Sequence, residues 1–267
     1  PAGLKEGYKS LLLVSRSGLT PNMPHGMSSG TRVGRCDVSD LASTHAVLAL
    51  SPSPLSGIWH AAGVLSDALF AKQSTPALHN VFGPKVGGVA ILQRASSMLR
   101  LHACLLFSSI ATLFFSVAQA NYAAANGCLD GLSEQRFLRA QPCASVQWGP
   151  WADVGMASGS AISARMQSAG VFLLAAWQGL SALELAIQPN VNKVLAVVPV
   201  RWNKLLSSKL VPALLSKVAP RGIPAVSAGT RANQIAPASL SLEAVLGIVH
   251  RTTGNSVDSD SPLMEAG

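Results

Sequence analysis

Short apolar runs alternate with longer stretches in which apolar residues recur at helical spacing, and that alternation predicts strands joined by helices. Strands are expected at Ser10–Ser15, Arg32–Cys36, Gly57–His60, Ala103–Phe107, Ala144–Gln147 and Val194–Val198. Runs such as Leu11-Leu12-Leu13-Val14 are continuously apolar rather than alternating, as in a parallel sheet buried on both faces. Helices are expected at Leu41–Leu48, Ala77–Leu99, Ala118–Ala140, Ala176–Ile187 and Leu242–His250. The Pro/Gly/Ser-rich stretch Pro21–Gly34 reads as a loop, and Pro212–Pro237 as an interdomain linker. The fold class is α/β.

Composition narrows the picture from the outside. With 267 residues, 49% of them hydrophobic and only 12% charged, the chain can bury a large core and is not disordered. A net charge of +8 raises the question of a nucleic-acid or membrane partner, but the basic residues are scattered, with no Lys/Arg run. They read as a solvated surface with a modest attraction for phosphorylated ligands, and no nucleic-acid partner is expected. Cys36, Cys104, Cys128 and Cys143 lie far apart without metal-ligand spacing, so they read as buried thiols in a reducing compartment, and no metal is expected. Between Leu101 and Leu129 the only ionisable side chains that accept or release a proton near neutrality are His102 and thiols, a length that could span a bilayer. Ser108, Ser109, Gln119, Asn121 and Asn126 interrupt it, favouring a buried strand, a loop and a helix over a membrane span.

The candidate chemistry lies in that same stretch. Ser109 ends a strand, and Tyr122 and Asn126 project one turn apart from one face of an alanine-rich helix. A phenol can hand a proton to a carbonyl oxygen while a serine hydroxyl donates a second hydrogen bond, which is what hydride reduction of a ketone requires. The phenol needs a nearby cation if it is to relay protons near neutrality, and Lys85 is the candidate. Taken singly, each residue has a plain reading: a strand end, a core tyrosine, a solvated lysine. Together they are harder to set aside.

His60-Ala61-Ala62-Gly63-Val64-Leu65, Pro84-Lys85-Val86, Phe107-Ser108-Ser109, Gln119 to Asn126 and Trp148-Gly149-Pro150-Trp151 follow one another in an order that resembles the ketoreductase domain of modular polyketide synthases. More distantly, the chain is similar to the reductase of animal-type fatty acid synthases, within the short-chain dehydrogenase/reductase superfamily. The resemblance implies a Rossmann-like doubly wound parallel sheet. It implies NADPH as reductant, Tyr122 as proton donor, Ser109 as carbonyl hydrogen-bond donor, Lys85 as the group tuning Tyr122 and holding the cofactor ribose, and Asn126 as orienter. Ser15, Arg16, Asp37, Val38, His60, Ala61, Ala62 and Gly63 fall at the family's cofactor positions, with Arg16 facing the 2′-phosphate and Asp37 the adenine edge. Asp67, in Leu65-Ser66-Asp67, retains one aspartate of the family's Leu-Asp-Asp motif, which implies a D-configured hydroxyl; Trp151 and Met156 fall in its substrate lid. Trp148 and Trp151 have an equal reading as packing residues.

Folds of this type open with a strand and a glycine-rich turn that receives the cofactor pyrophosphate. No such pattern precedes Leu11, so an N-terminally truncated domain is expected. At the other end, Asp258 to Gly267 resembles the opening of an acyl carrier domain, ahead of the serine that bears phosphopantetheine; that serine is expected beyond Gly267. The expected organisation is a ketoreductase over residues 1–211, a linker over 212–237 and the start of a carrier over 238–267. The expected activity is cytoplasmic reduction of a β-ketoacyl thioester on an acyl carrier domain, with other domains of one synthase as partners. An inactive structural remnant and a stand-alone dehydrogenase on small alcohols are the alternatives.

Overall fold

Parallel pairing of adjacent strands organises the backbone. The computed structural model describes residues 10–18, 30–50, 55–114, 118–152, 160–189, 191–206 and 213–219. Two units are distinguished, Pro1–Arg201 and Trp202–Gly267, and every strand below lies in the first. Strand β1 (Leu11–Ser15) pairs in parallel with β2 (Thr31–Arg35). Strands β3 (Gly57–His60), β4 (Ala103–Ser109), β5 (Ala144–Trp148) and β6 (Val194–Val197) form a second parallel sheet in that order. Among the described residues, β1 and β3 are each paired on one side only.

Side-chain alternation along β4 sends consecutive residues to opposite faces of the sheet. Leu105 joins Val146, Trp148, Leu174 and Leu183 in one apolar cluster, while Cys104 and Leu106 join Val89, Leu129 and Cys143 in another. The first cluster includes residues of helix α6 (Ala176–Ala186); the second includes residues of α3 (Gly88–Ala95) and α4 (Ala120–Leu138), so helices cover both faces. Leu105 and Leu106 are both almost fully enclosed, and burial of each contributes about 2 kcal/mol. This is the doubly wound parallel α/β arrangement expected from the sequence.

Local chemistry sets the helix starts. Asp40 caps α1 (Leu41–Ala49), its carboxylate accepting from Ser43 N at 2.7 Å, and Ser74 caps α2 (Thr75–Phe82) by accepting from Ala77 N at 3.3 Å. The helix expected at Ala77–Leu99 is a composite: α2 runs through a π-helical turn, Gly83–Gly87, into α3 and ends at Ala95. Pro84 lies in that turn, where its missing N–H removes a normal helical bond and the ladder shifts.

Other departures have equally local causes. Residues 31–34 of the expected Pro21–Gly34 loop belong to β2, their backbone paired with β1. Helix α5 (Ser160–Ser168) went unread because its sequence lacks an apolar stripe. Inside the expected linker, Ala213–Val218 forms a 3-10 turn. The helix expected at Leu242–His250 and the carrier-like segment lie outside the described residues. Cys36, Cys104 and Cys143 are buried, but Cys128 is exposed because its position on α4 faces away from the sheet.

Trp151, which the sequence assigns equally to lid or packing, is packed. Its indole packs against Trp148, ring centroids 5.0 Å apart, and over Gly179 of α6, where a Cβ would fall 2.0 Å from Trp151 Cη2. Replacing Gly179 with alanine adds helix propensity of up to about 1 kcal/mol but overpacks a rigid ring, at a cost of about 1–3 kcal/mol. Overpacking wins: Gly179→Ala is expected to lower unfolding free energy by about 1–2 kcal/mol in a denaturant titration.

His60 is only 3% exposed, and burial, reinforced by the Lys85 charge, lowers its pKa from 6.5 to about 4. The unfolded chain therefore takes up the proton first as pH falls. His60 imposes no penalty above about pH 6.5, and stability is lost as pH drops from there towards 4, by on the order of 3 kcal/mol. A stability–pH series on His60→Asn is expected to show a shallower slope across that window than the parent.

Candidate active site

The carboxyl ends of the parallel strands gather the polar residues singled out in the sequence. Ser15 and Arg16 sit at the end of β1, Asp37 and Val38 just past β2, His60 to Gly63 at the end of β3, and Ser108 and Ser109 at the end of β4. In open parallel sheets this edge is where ligands bind, because the loops there diverge and leave a crevice.

Lys85 is the most constrained of these side chains. It is 3% exposed, its Nζ donates to Phe107 O at 3.0 Å, and the same nitrogen lies 5.2 Å from the centroid of the Tyr122 ring. The π-helical turn carries it inward. Burial pulls its pKa down from 10.5 to about 8, and the Asp130 carboxylate acts in the opposite sense. Asp130 is itself fixed to β5, accepting from Ser145 Oγ at 2.6 Å and from Gln147 Nε2 at 2.8 Å.

Gly63 lets the backbone approach this lysine. A Cβ at that position would come 3.0 Å from Lys85 Cε and 3.4 Å from Nζ, so any larger residue would push into the lysine stem. Gly88 permits a similar approach at the start of α3: a Cβ there would fall 2.9 Å from Val38 Cγ2 and 3.2 Å from His60 Cε1.

Tyr122 and Asn126 lie on the buried face of α4, one turn apart as the sequence spacing requires. Asn126 Nδ2 donates to Tyr122 O at 2.8 Å, Ser108 Oγ donates to Asn126 O at 3.3 Å, and Asn126 Oδ1 is buried without a partner. Burial pushes the Tyr122 phenol up from its ordinary value; the adjacent Asn126 and Ser109 side chains act against that rise, and the Asp67 carboxylate adds to it. Removal from water thus outweighs those two contacts, and the phenol is shifted up rather than down as expected of a Lys85-tuned group. The resting phenol keeps its proton.

Ser109 Oγ accepts from Ala111 N at 3.2 Å, which holds the hydroxyl at the start of a short 3-10 turn, Ile110–Thr112. Beyond it, the loop after β3 is stitched to the start of α4. Gln119 Nε2 donates to Asp67 Oδ2 at 3.0 Å, Asn121 Nδ2 to Ser66 O at 2.7 Å, and Ala68 N to Ala118 O at 2.9 Å. Ala118 adopts φ 65°, a left-handed conformation that costs a non-glycine residue about 1–2 kcal/mol. Asp67 Oδ1 is left buried and unpartnered.

The structure thus brings Lys85, Ser109, Tyr122 and Asn126 around one place, with Asp67 beside it. Sequence reading missed Asp130, Gln119 and Asn121; Asp130 was detectable as the residue two turns after Tyr122 on the same helix face. Asp37 accepts from both N and Oγ of Ser39, which lowers its pKa, and the Arg16 charge lowers it further. Met156 lies outside the described residues. Among the described residues, no helix is long and apolar enough to cross a membrane, and no cluster of His, Cys, Asp or Glu could hold a metal.

Comparison with known proteins gives a consistent result. Polyketide synthase GfsE of Streptomyces halstedii is 36% identical over 188 residues, covering 68% of this chain and 5% of that protein. An erythronolide synthase of Saccharopolyspora erythraea is 31% identical over 219 residues, covering 79% of this chain and 6% of that protein. This chain therefore spans only about a twentieth of the length of those synthases. Among solved structures, A-type ketoreductases from a modular polyketide synthase superpose with TM-score 0.67 at 28% identity, covering 80% of this chain and 46% of theirs. An A1-type ketoreductase superposes with TM-score 0.63 at 29% identity, covering 72% and 40%. A family model described as KR domain matches residues 4–153, more than half of the chain. On that match, and with polyketide synthases among its relatives, the chain belongs to the KR domain family, the ketoreductase domains of polyketide synthases.

Proposed function

We propose that this chain is the catalytic part of a ketoreductase within a larger synthase, reducing a β-ketoacyl thioester on an acyl carrier domain to the β-hydroxyacyl thioester. The observation that carries the reading is the enclosed Lys85 ammonium 5.2 Å from the Tyr122 ring centroid, with the Ser109 and Asn126 side chains close to the phenol. A solvated lysine and a merely packed tyrosine would not need that arrangement.

The residues suit NADPH. Arg16 is exposed at the end of β1, and its guanidinium offers the fork of donors that suits a 2′-phosphate. Ser15, Asp37 and Val38 flank it on the adenine side. Gly63 approaches Lys85 closely, and the His60-Ala61-Ala62-Gly63 backbone at the end of β3 suits the nicotinamide-side ribose. When bound, NADPH supplies the hydride.

This chain's own residues manage charge and protons. Ser109 Oγ donates a hydrogen bond to the ketone oxygen while the Tyr122 phenol, protonated at neutral pH, delivers its proton to that oxygen as negative charge develops. The Lys85 ammonium stabilises the resulting phenolate. Asn126 holds the α4 turn on which Tyr122 sits. Asp67, fixed by Gln119, borders the substrate side and supports a D-configured product.

The one-sided pairing of β1 and β3 among the described residues, with Leu11, Val14 and Trp59 exposed, supports the further reading that a strand preceding Leu11 in the parent polypeptide completes the sheet between them. Such a strand would bring the glycine-rich pyrophosphate turn with it. Cytoplasmic location and the partnership with a phosphopantetheine-bearing carrier belong to the same proposal.

In the parent polypeptide, Tyr122→Phe is expected to reduce kcat/KM for NADPH-dependent reduction of a β-ketoacyl thioester by about 10²–10⁴ while NADPH binding is retained. Retained turnover would remove Tyr122 from the role given to it. Because the Lys85 cation is required and its pKa is about 8, activity is expected to fall as pH rises through about 8. Asp130→Asn, which removes the charge favouring that cation, is expected to move this alkaline limb to lower pH in the kcat/KM profile.

A further inference from the structure

The end of the sheet remote from the proposed catalytic site holds a second feature. A cavity of about 430 Å³ opens where α3 and α4 end and β4 begins, with Arg100, His102, Arg136, Gln93, Ser97 and Gln141 in its wall. No carboxylate is among the residues lining it.

Arg136 is the unusual member. It continues the buried face of α4 that carries Tyr122, Asn126 and Ser133, and it is only 8% exposed. Its Nε is buried without a hydrogen-bond partner, and among the described residues no carboxylate pairs with its guanidinium. Arg136 lines the cavity, where an anion would answer the guanidinium's charge as well as its donors.

A competing account is that the cations only balance helix carboxyl ends. Each such end carries about half a negative charge, so α3 and α4 together supply about one. Some of that is already met, since Arg136 O accepts from Arg139 N and Gln141 N, both at 3.0 Å. Arg100 and Arg136 supply two full positive charges. The surplus favours a ligand of negative charge, and the fork of a guanidinium matches tetrahedral oxyanions.

We infer that this cavity binds a phosphate monoester or a comparable small phosphorylated anion, gripped by Arg136 and Arg100 with Ser97, Gln93 and Gln141 as neutral donors. The inference does not depend on the catalytic reading, because it uses the opposite end of the sheet and none of the same side chains.

Inorganic phosphate is the probe, titrated calorimetrically into the parent polypeptide at constant ionic strength with chloride as the exchanged ion. Saturable binding is expected in the parent protein, weakened about tenfold or more by Arg136→Gln and reduced by Arg100→Gln. Arg16→Gln, at the proposed cofactor side, is expected to leave it unchanged. Circular dichroism checks each fold; should Arg136→Gln misfold, the double variant Arg100→Gln/His102→Gln, at the cavity mouth, decides instead. Absence of saturable binding in the parent protein would overturn the inference, as would binding that survives the cavity variants or is abolished by Arg16→Gln.

Discussion

Taking the Lys85 ammonium out of water is the demand that the rest of the proposed catalytic edge is arranged to meet. A buried primary amine tends to lose its proton, and this one is held by a backbone carbonyl at the end of β4, an aromatic face on α4 and a carboxylate two turns further along that helix. Each of those partners helps to fix β4, α4 and the π-helical turn relative to one another, and the absence of a side chain at Gly63 makes room for the stem. The same charge helps keep the nearby imidazole of His60 neutral, so one cation influences the protonation of its surroundings.

Helix α4 distributes polarity along a face that in most helices would be apolar. Tyr122, Asn126, Ser133 and Arg136 are buried there, together with Ala125 and Leu129. Such a face is stable only because the sheet and its loops supply partners for it: Ser108 reaches Asn126 O, and Ser133 reaches Lys193 O at 2.8 Å. The exceptions, Asn126 Oδ1 near one end and Arg136 Nε near the other, fall at the proposed catalytic site and beside the second cavity. Polar groups left open on an otherwise satisfied face are where external ligands have most to gain.

Much of this was legible in the sequence because its strongest signals are local. Apolar runs placed the six described strands to within a residue or two, and β4 extends to Ser109 only because Ser108 and Ser109 pair with Gln147 and Trp148. The spacing of Tyr122 and Asn126 needed nothing beyond helical periodicity. What escaped was non-local. Cys104 and Cys143 lie far apart in the chain, yet register between β4 and β5 makes them neighbours, with Sγ of Cys143 donating to Sγ of Cys104 at 3.5 Å. Asp130 and Arg136 look like ordinary solvated charges until the sheet is placed beneath the helix. Trp151 read equally well as lid or packing, and its packing over the bare surface of Gly179 is visible only in the fold.

The exposed thiol of Cys128 sets it apart from the three enclosed cysteines, although it stands only two positions from Asn126. A half-turn of helix separates a side chain within the proposed reaction centre from one in bulk solvent. A maleimide-linked fluorophore or nitroxide can therefore be fixed to native α4 without mutagenesis, offering a spectroscopic vantage on the helix that carries Tyr122 while the probe itself stays outside the crevice.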